Sequence, residues 1–349
     1  MRRIRRSTLL EGNYRDWTDL SDYREHARGL RPQLRLIRKS EAAAGLRLFS
    51  VMRNEHDLLP GFLEHYRNLG VVRFVIVDND SSDGTHELLL QQPDVDLYHT
   101  GGSYAAANGG TLWVDALIDE QARGDWIVYA DADELLVYDQ CDKYPLQALA
   151  NHLEAIGETK LLAPMVDLYP CADSSQHLLF DAMPERCRRT GRGLIVEGGP
   201  RSRMAVLRNE TASPCLTKYP FVRYGRRNAY ANTHFPYPSD GNGYRIFGRL
   251  LHLKLTARFK GKVAEALREG QHWNGGIEYQ RYAEWLDGRD TIDLATEHSR
   301  RYTGPADLIA AGLLEPLQWQ LSNSRLRVTR VLRRMLLRPQ AARPHLTEP

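Results

Sequence analysis

An α/β fold, with a mostly parallel central sheet flanked by helices, is what this sequence predicts, on three observations. Short apolar runs alternate with amphipathic segments between residues 46 and 140, the pattern of strands covered by helices on both faces. Polar residues follow each run at once (Ser50, Asp78 and Asp131), and ligands collect at the carboxyl ends of strands in such sheets. The chain of 349 residues is 42% hydrophobic and 26% charged, enough to bury a large core and too apolar for wholesale disorder.

Residues 1–44 are polar and Arg-rich and read as an irregular or helical arm. "LRLFSVM" reads as a strand, "DLLPGFLEHYRNLG" as an amphipathic helix ending at Gly70, and "VRFVIVD" as a second strand. "SSDGTHELLLQQ" is a turn and a short helix, and "VDLYH" a short strand. "YAAANGGTLWVDALIDEQA" is a helix broken by glycines, and "DWIVYA" a strand. Beyond Pro145 the alternation blurs. "LQALANHLEAIG" is a helix, "LLAPMVDLY" and "RLLHLKL" are strands, and "KVAEALREG" and "YQRYAEWLDG" are helices. The stretch from Pro170 to Tyr244 is rich in Arg, Gly, Pro and Tyr and carries no clear period. The expected organisation is an arm (1–44), a ligand-binding half (45–140), a second half of the same domain (141–300) and a basic helical tail (301–349).

Composition excludes several classes. The net charge is only +3, which argues against a nucleic-acid binder. Of 47 basic residues 40 are Arg; Arg forks suit phosphate and carboxylate, but codon bias gives the same excess. The four cysteines are scattered without a C-x-x-C pair, so neither zinc spacing nor a disulfide framework is expected. The basic N-terminus lacks an apolar core, so no secretory leader is expected. No run approaches the ~18 apolar residues of a membrane span. A cytoplasmic protein is the expectation.

Three clusters carry chemistry. In "WIVYADADE", Asp131 and Asp133 follow a buried strand, with Glu134 beside them. Two carboxylates at a strand end can hold a hard divalent cation that leaves room for substrate phosphates. Alone, D-x-D is better read as an acidic, solvated loop or a cap for the next helix. In "VMRNEHD", Arg53, Asn54 and Glu55 crowd the end of the first strand, placed to grip a base or ribose, or to fill a loop with Asp57 as a cap. In "VIVDNDSSDGT", Asp78 ends the second strand, a carboxylate for a base N–H or ribose hydroxyl, or an Asx turn.

Order, spacing and strand context together resemble glycosyltransferase family 2, specifically a family-2-like bacterial branch. The matching segments are Val51 to Glu55; Val77, Asp78, Ser81, Asp83, Gly84 and Thr85; Ala106, Asn108 and Gly110; and Tyr129 to Glu134. The resemblance covers roughly residues 46–140. It implies a GT-A fold, a nucleotide-sugar donor with a UDP-sugar foremost, Mn²⁺ or Mg²⁺, and inversion at the transferred carbon. It implies Asp78 near the base, Asp131 near the ribose and Asp133 on the metal, with Arg53, Asn54, Glu55 and Asn108 among the nucleotide contacts. One departure is Ala107, where an Arg or Lys is often found, so a phosphate contact must come from elsewhere.

Looser likeness continues through "VEGGPRSRM", "TKYPFVRY", "NTHFPY" and "LLHLKL". His252 is expected to complete a metal shell with Asp131 and Asp133, shielded by Leu250, Leu251 and Leu253; a strand histidine with a satisfied ring is the alternative, and His234 the second choice. Glu197 and Asp167 are the candidate general bases, with Asp173 as a rival and Glu134 as an orienting group. Glu197 sits in a stretch, Arg186 to Arg208, with seven Arg, read as a positive loop over a diphosphate or facing an anionic acceptor, or as a solvated basic surface. The tail "SRLRVTRVLRRMLLRP" places Val328, Val331, Leu332 and Met335 at helical spacing among six Arg, a basic amphipathic helix for a membrane face or for packing. The expected reaction is sugar transfer to a glycan or lipid-linked hydroxyl, with the inner face of a membrane as one location. The rivals are a sugar-nucleotide nucleotidyltransferase, whose usual glycine-rich loop is missing from "VMRNEHD", and a non-catalytic nucleotide-sugar-binding protein.

Overall fold

The computed structural model describes residues 20–319, apart from 172–173, 184, 191–192, 206–213, 231, 239–242, 257, 272–275 and 290–291. Asp173 and the tail helix therefore lie outside the described residues. Helix α1 (Leu20–Leu30) and strand β1 (Arg35–Arg38) come first. Then β2 (Arg47–Met52), α2 (Leu59–Asn68), β3 (Arg73–Asp78), α3 (Thr85–Leu90), β4 (Val95–His99), α4 (Thr111–Gln121) and β5 (Trp126–Tyr129) alternate as expected.

These strands form the main sheet because their side chains are buried on both faces. In β3, Phe74 to Asp78 are all buried, the pattern of a strand covered by helices on each side. Helix α2 covers one face with Leu59, Phe62, Leu63 and Tyr66, a spacing of three and four that makes one apolar stripe. Each such side chain, fully buried, stabilises the fold by about 1.5–3 kcal/mol. Helix α4 starts later than the sequence predicted. Gly110 (φ 79°) precedes it, and a Cβ there would lie 2.8 Å from Val51, so a left-handed glycine sets the start next to β2.

Beyond α4 the chain runs through β6 (Glu134–Tyr138), α5 (Leu146–Ile156), β7 (Lys160–Leu161), β8 (Met165–Asp167), β9 (Tyr169–Cys171), β10 (Ser174–Asp181), β11 (Arg186–Thr190), β12 (Gly193–Glu197) and α6 (Arg201–Ala205). It continues through β13 (Phe221–Arg223), β14 (Gly248–His252), α7 (Phe259–Glu269), α8 (Ile277–Leu286), β15 (Ser299–Arg301) and α9 (Pro305–Ala310). The single strand predicted over "LLAPMVDLY" is three short ones, and the residues after the double-aspartate loop form β6, which the sequence reading did not separate.

The main sheet has the order β1-β4-β3-β2-β5-β13-β7. Strands β4, β3, β2 and β5 are parallel, and β1 and β13 join antiparallel. The sheet thus takes strands from segments 1–44, 45–140 and 141–300 alike. From β2 the chain builds outward through β3 and β4, then returns to place β5 on the other side of β2. That reversal opens a crevice at the carboxyl ends of β2 and β5.

A smaller sheet, β6-β14-β8, lies beside this crevice. Strand β14 is antiparallel to β6 and parallel to β8, and His252 is in register with Glu134 on one side and Asp167 on the other. Among the described residues no helix is long and apolar enough to cross a membrane.

Candidate active site

The crevice at β2 and β5 holds a cavity of about 430 Å³, within the size range of small-molecule sites. Arg53 and Glu55 line it from the end of β2, Asp131 and Asp133 from the end of β5, and His252 from β14. Lys254, Arg258, Lys262, Glu265 and Tyr279 close it from the segment that contains α7 and α8.

The loops that follow β2 and β3 are bound to each other. The Asn54 N–H donates to Ser81 Oγ (3.0 Å), the Glu55 N–H to Thr85 Oγ1 (2.8 Å) and the His56 N–H to Asp83 Oδ2 (3.1 Å). Asp83 also accepts from the Thr85 N–H and hydroxyl. Gly84 adopts φ 95° with His56 pressed against it, where a Cβ would lie 3.0 Å from the ring. The Ser-x-Asp-Gly-Thr spacing is thus explained by the backbone donors it satisfies.

Asp133 and His252 form the centre. His252 Nε2 lies 3.3 Å from Asp133 Oδ2, and its Nδ1 lies 2.6 Å from Asp167 Oδ1. Asp167 is wholly buried and also takes Arg201 Nε at 2.8 Å from both oxygens. Burial alone would push Asp167 up, but Arg201 and His252 hold it well below the usual carboxylate range. Asp133 is likewise held low, burial being outweighed by His252. Burial would lower His252, and Asp133 more than offsets that, so its ring is raised.

Lys218 organises the other acids. Its Nζ lies 2.8 Å from Glu134 Oε1 and 3.2 Å from Asp131 Oδ2. Burial raises Glu134, with Lys218 working against it. Glu134 is therefore an internal partner of Lys218.

The residues at the centre suit a divalent cation in part. Asp133 Oδ2 and His252 Nε2, 3.3 Å apart, stand near the roughly 3 Å that adjacent corners of an octahedron with ~2.1 Å bonds require. Asp167 fixes the ring so that Nε2 can present its lone pair, the usual arrangement behind a ligating histidine. Among the described residues, however, no three His, Cys, Asp or Glu groups converge as a complete cage, and Asp131 faces Lys218. Such a pair matches a cation whose remaining positions are filled by phosphate and water.

The other expected residues stand elsewhere. Asp78 is buried at the end of β3, accepting from the Ser81 N–H (3.1 Å) and facing His86 Nδ1 (2.7 Å). Asn108 is buried at the start of α4, donating to Thr111 Oγ1 at 3.0 Å. Neither is among the side chains that line the cavity. Asn54 is tied to Ser82 and Glu265. Glu55 does line the cavity, bonded to Lys262 at 2.7 Å, and burial pushes it up to about 7. His234 Nδ1 bonds the Thr217 carbonyl at 2.8 Å.

Glu197 lines a second cavity of about 490 Å³, with Glu185, Arg186, Ser202, Arg203 and Asp167 on its walls. The Arg-rich stretch divides. Arg186, Arg188 and Arg189 are exposed on β11, whereas Arg201 turns inward to Asp167 and Arg203 to Asp181. The exposed arginines stand at the second cavity or outside both, so they do not form a loop over the first. Lys218, Arg201, Lys254, Lys262 and Glu278 escaped the sequence reading. One signal was available: the chain has only seven Lys, and three of them are at this site.

No known family matches the chain by sequence, and no curated protein matches it. Two solved structures resemble it distantly. Residues 1–349 of S. aureus TarS are 13% identical over 70% of this chain and 71% of that one, with a TM-score of 0.32. The mannosyltransferase PcManGT from Pyrobaculum calidifontis, solved with GDP-Man and Mn²⁺, is 20% identical over 42% of this chain and 43% of that one, with a TM-score of 0.24. At these scores neither likeness extends to the placement of side chains.

Proposed function

We propose that this chain is an inverting glycosyltransferase that takes a nucleotide-sugar donor, with a divalent cation, into the cavity at the ends of β2 and β5. The observation that carries the reading is the convergence of Asp133, His252 and Asp167 beside Asp131 at the sheet's switch point. A carboxylate and an oriented imidazole, open to a crevice of nucleotide size, suit a metal-bound diphosphate. The family-2 resemblance of the same segment supports the donor class, and a UDP-sugar is the first choice.

The division of labour follows from the chemistry. Asp133 and His252 would hold the cation, which when bound would supply positive charge against a diphosphate leaving group. Asp167, clamped by Arg201, keeps the His252 ring in one orientation. Lys218 balances Asp131 and Glu134, so the acids are held without mutual repulsion. Glu55 and Arg53 bound the base-and-ribose side. Inversion asks a carboxylate to take the acceptor proton as the hydroxyl attacks C1. Neither sequence candidate stands ready for that step: Glu197 lines the second cavity and not the first, and Asp167 is clamped by Arg201 and His252 and held well below the usual carboxylate range.

The test is donor turnover. Incubated with a panel of UDP- and GDP-sugars and Mn²⁺ but no acceptor, the purified protein should release the nucleoside diphosphate slowly. Proton NMR of the freed sugar should show the anomer opposite to the donor. Retained configuration would refute inversion. Absence of cleavage and of binding across the panel would refute the whole reading, and binding without any cleavage would favour the non-catalytic rival.

A further inference from the structure

Four cations face the first cavity: Arg53, Lys254, Arg258 and Lys262. Three are engaged by carboxylates of the rim. Arg53 lies 2.9 Å from Glu269, Arg258 lies 3.3 Å from Asp57, and Lys262 lies 2.7 Å from Glu55. Lys254 is held in another way. Its Nζ sits 4.7 Å from the centre of the Tyr279 ring and 5.5 Å from that of Tyr282.

The difference matters because a ring face attracts a cation without cancelling its charge. Glu278 also acts on the Lys254 charge, but it forms no ion pair with Lys254 among the described residues and is shared with Arg201 (3.4 Å) and the Tyr282 hydroxyl. Lys254 follows His252 by two residues and stands close enough to Asp133 to act on its charge. Its ammonium is thus fixed on the cavity wall next to the proposed metal ligands.

We propose that Lys254, presented on Tyr279 and Tyr282, is the protein's own anchor for a diphosphate bound in this cavity. The anchor acts whether or not a divalent cation is bound. It gives nucleoside diphosphates an advantage over nucleosides that survives chelation. The inference rests on reading the cavity as a nucleotide site, so its test separates the two.

Calorimetry would compare UDP, GDP, their nucleosides and inorganic pyrophosphate, first in EDTA and then in Mn²⁺. In EDTA the wild-type protein should bind one diphosphate at least tenfold tighter than its nucleoside. Lys254→Met keeps the packing against the rings and should lose about tenfold or more for the diphosphate and for pyrophosphate, as expected for a charge-assisted bond. Nucleoside affinity should not change, and Lys254→Arg should recover part of the loss. Two results would overturn the anchor alone: Lys254→Met binding the diphosphate as wild type does, or chelated wild type showing no advantage over the nucleoside while Mn²⁺ restores one. The second needs no variant and stands even if Lys254→Met does not fold. No nucleotide binding in either buffer would remove the nucleotide reading and the anchor with it.

Discussion

His252 illustrates how much of this site is decided by single side chains. Its two ring nitrogens face two different carboxylates, at 2.6 Å and 3.3 Å. Asp167 therefore acts as a positioning residue, and its own partner Arg201 is buried with it. Asp167→Asn keeps the shape but leaves the guanidinium facing a neutral amide. Breaking a buried pair costs about 3 kcal/mol or more, and loss of an orienting carboxylate weakens metal affinity by about 10- to 100-fold. The expected outcome is a lower Tm together with weaker Mn²⁺-dependent binding of UDP or GDP, and unchanged nucleoside affinity. A lower Tm with wild-type Mn²⁺ dependence would reduce Asp167 to a structural role. Its chemistry was misjudged from sequence because a lone Asp after an apolar run gives no sign of the Arg201 that depresses it.

At the scale of elements, α7 is fastened across the β2 loop by one face. Lys262 Nζ donates to the carbonyls of Arg53 (3.2 Å) and Asn54 (2.6 Å) and to Glu55 Oε1. Glu265 and Glu269 hold Asn54 and Arg53. Lys262→Met removes three of these bonds at once. Amide hydrogen exchange at residues 53–56 should then quicken while the core of β3 stays protected. Unchanged exchange at 53–56 would mean that the packing of α7, and not its charged face, holds the loop.

Helix α4 is tied down by a different device. Asp115 is buried and accepts from the hydroxyls of Tyr23 and Tyr224 and from the Tyr230 N–H (2.7 Å). Burial pushes its carboxyl up to about 7; the three donors oppose this, and Asp119 is the nearby like charge. An unfolded Asp loses its proton near 3.9, so the folded chain holds an extra proton from about pH 4 to about pH 7. Stability is fully present below that window and falls as pH rises through it, by roughly 1.4 kcal/mol per unit at most. Asp115→Asn should flatten the slope, so the urea midpoint of wild type minus that of the variant should fall steadily from pH 4.5 to 7 and level off above. A constant difference would show that Asp115 does not titrate in that range.

Over the whole molecule, the legible part of the sequence was the part whose pairings are local. Strands β2 to β5 alternate with helices, so apolar period and Gly110, Gly84 and Gly70 marked them, even though the start of α4 was set by one glycine. The row Asp131, Asp133 and Glu134 was visible as a row. The partners of that row were not. Lys218 and His252 reach it from strands and loops more than 80 residues away through antiparallel pairings, and β14 meets β6 and β8 in a register that no periodicity announces. Asp78 and Asn108 stood out by motif, yet their side chains are occupied by His86, Ser81 and Thr111, a fact visible only once the loops are folded together. The arginine run was readable as charge, but which arginines turn inward was not.

The proposed role of Asp133 and His252 is to hold a cation against a nucleoside diphosphate at the switch point of the main sheet. It is tested most directly by titrating UDP and GDP into wild type and Asp133→Asn, in Mn²⁺, with the Tm of both recorded. Asp133 is partly open to the cavity, with its side chain 24% exposed, so the variant should fold and melt near the wild-type temperature. Wild type should bind one of the two diphosphates, and Asp133→Asn should bind it at least tenfold more weakly. Equal Mn²⁺-dependent binding by the two proteins would contradict that role.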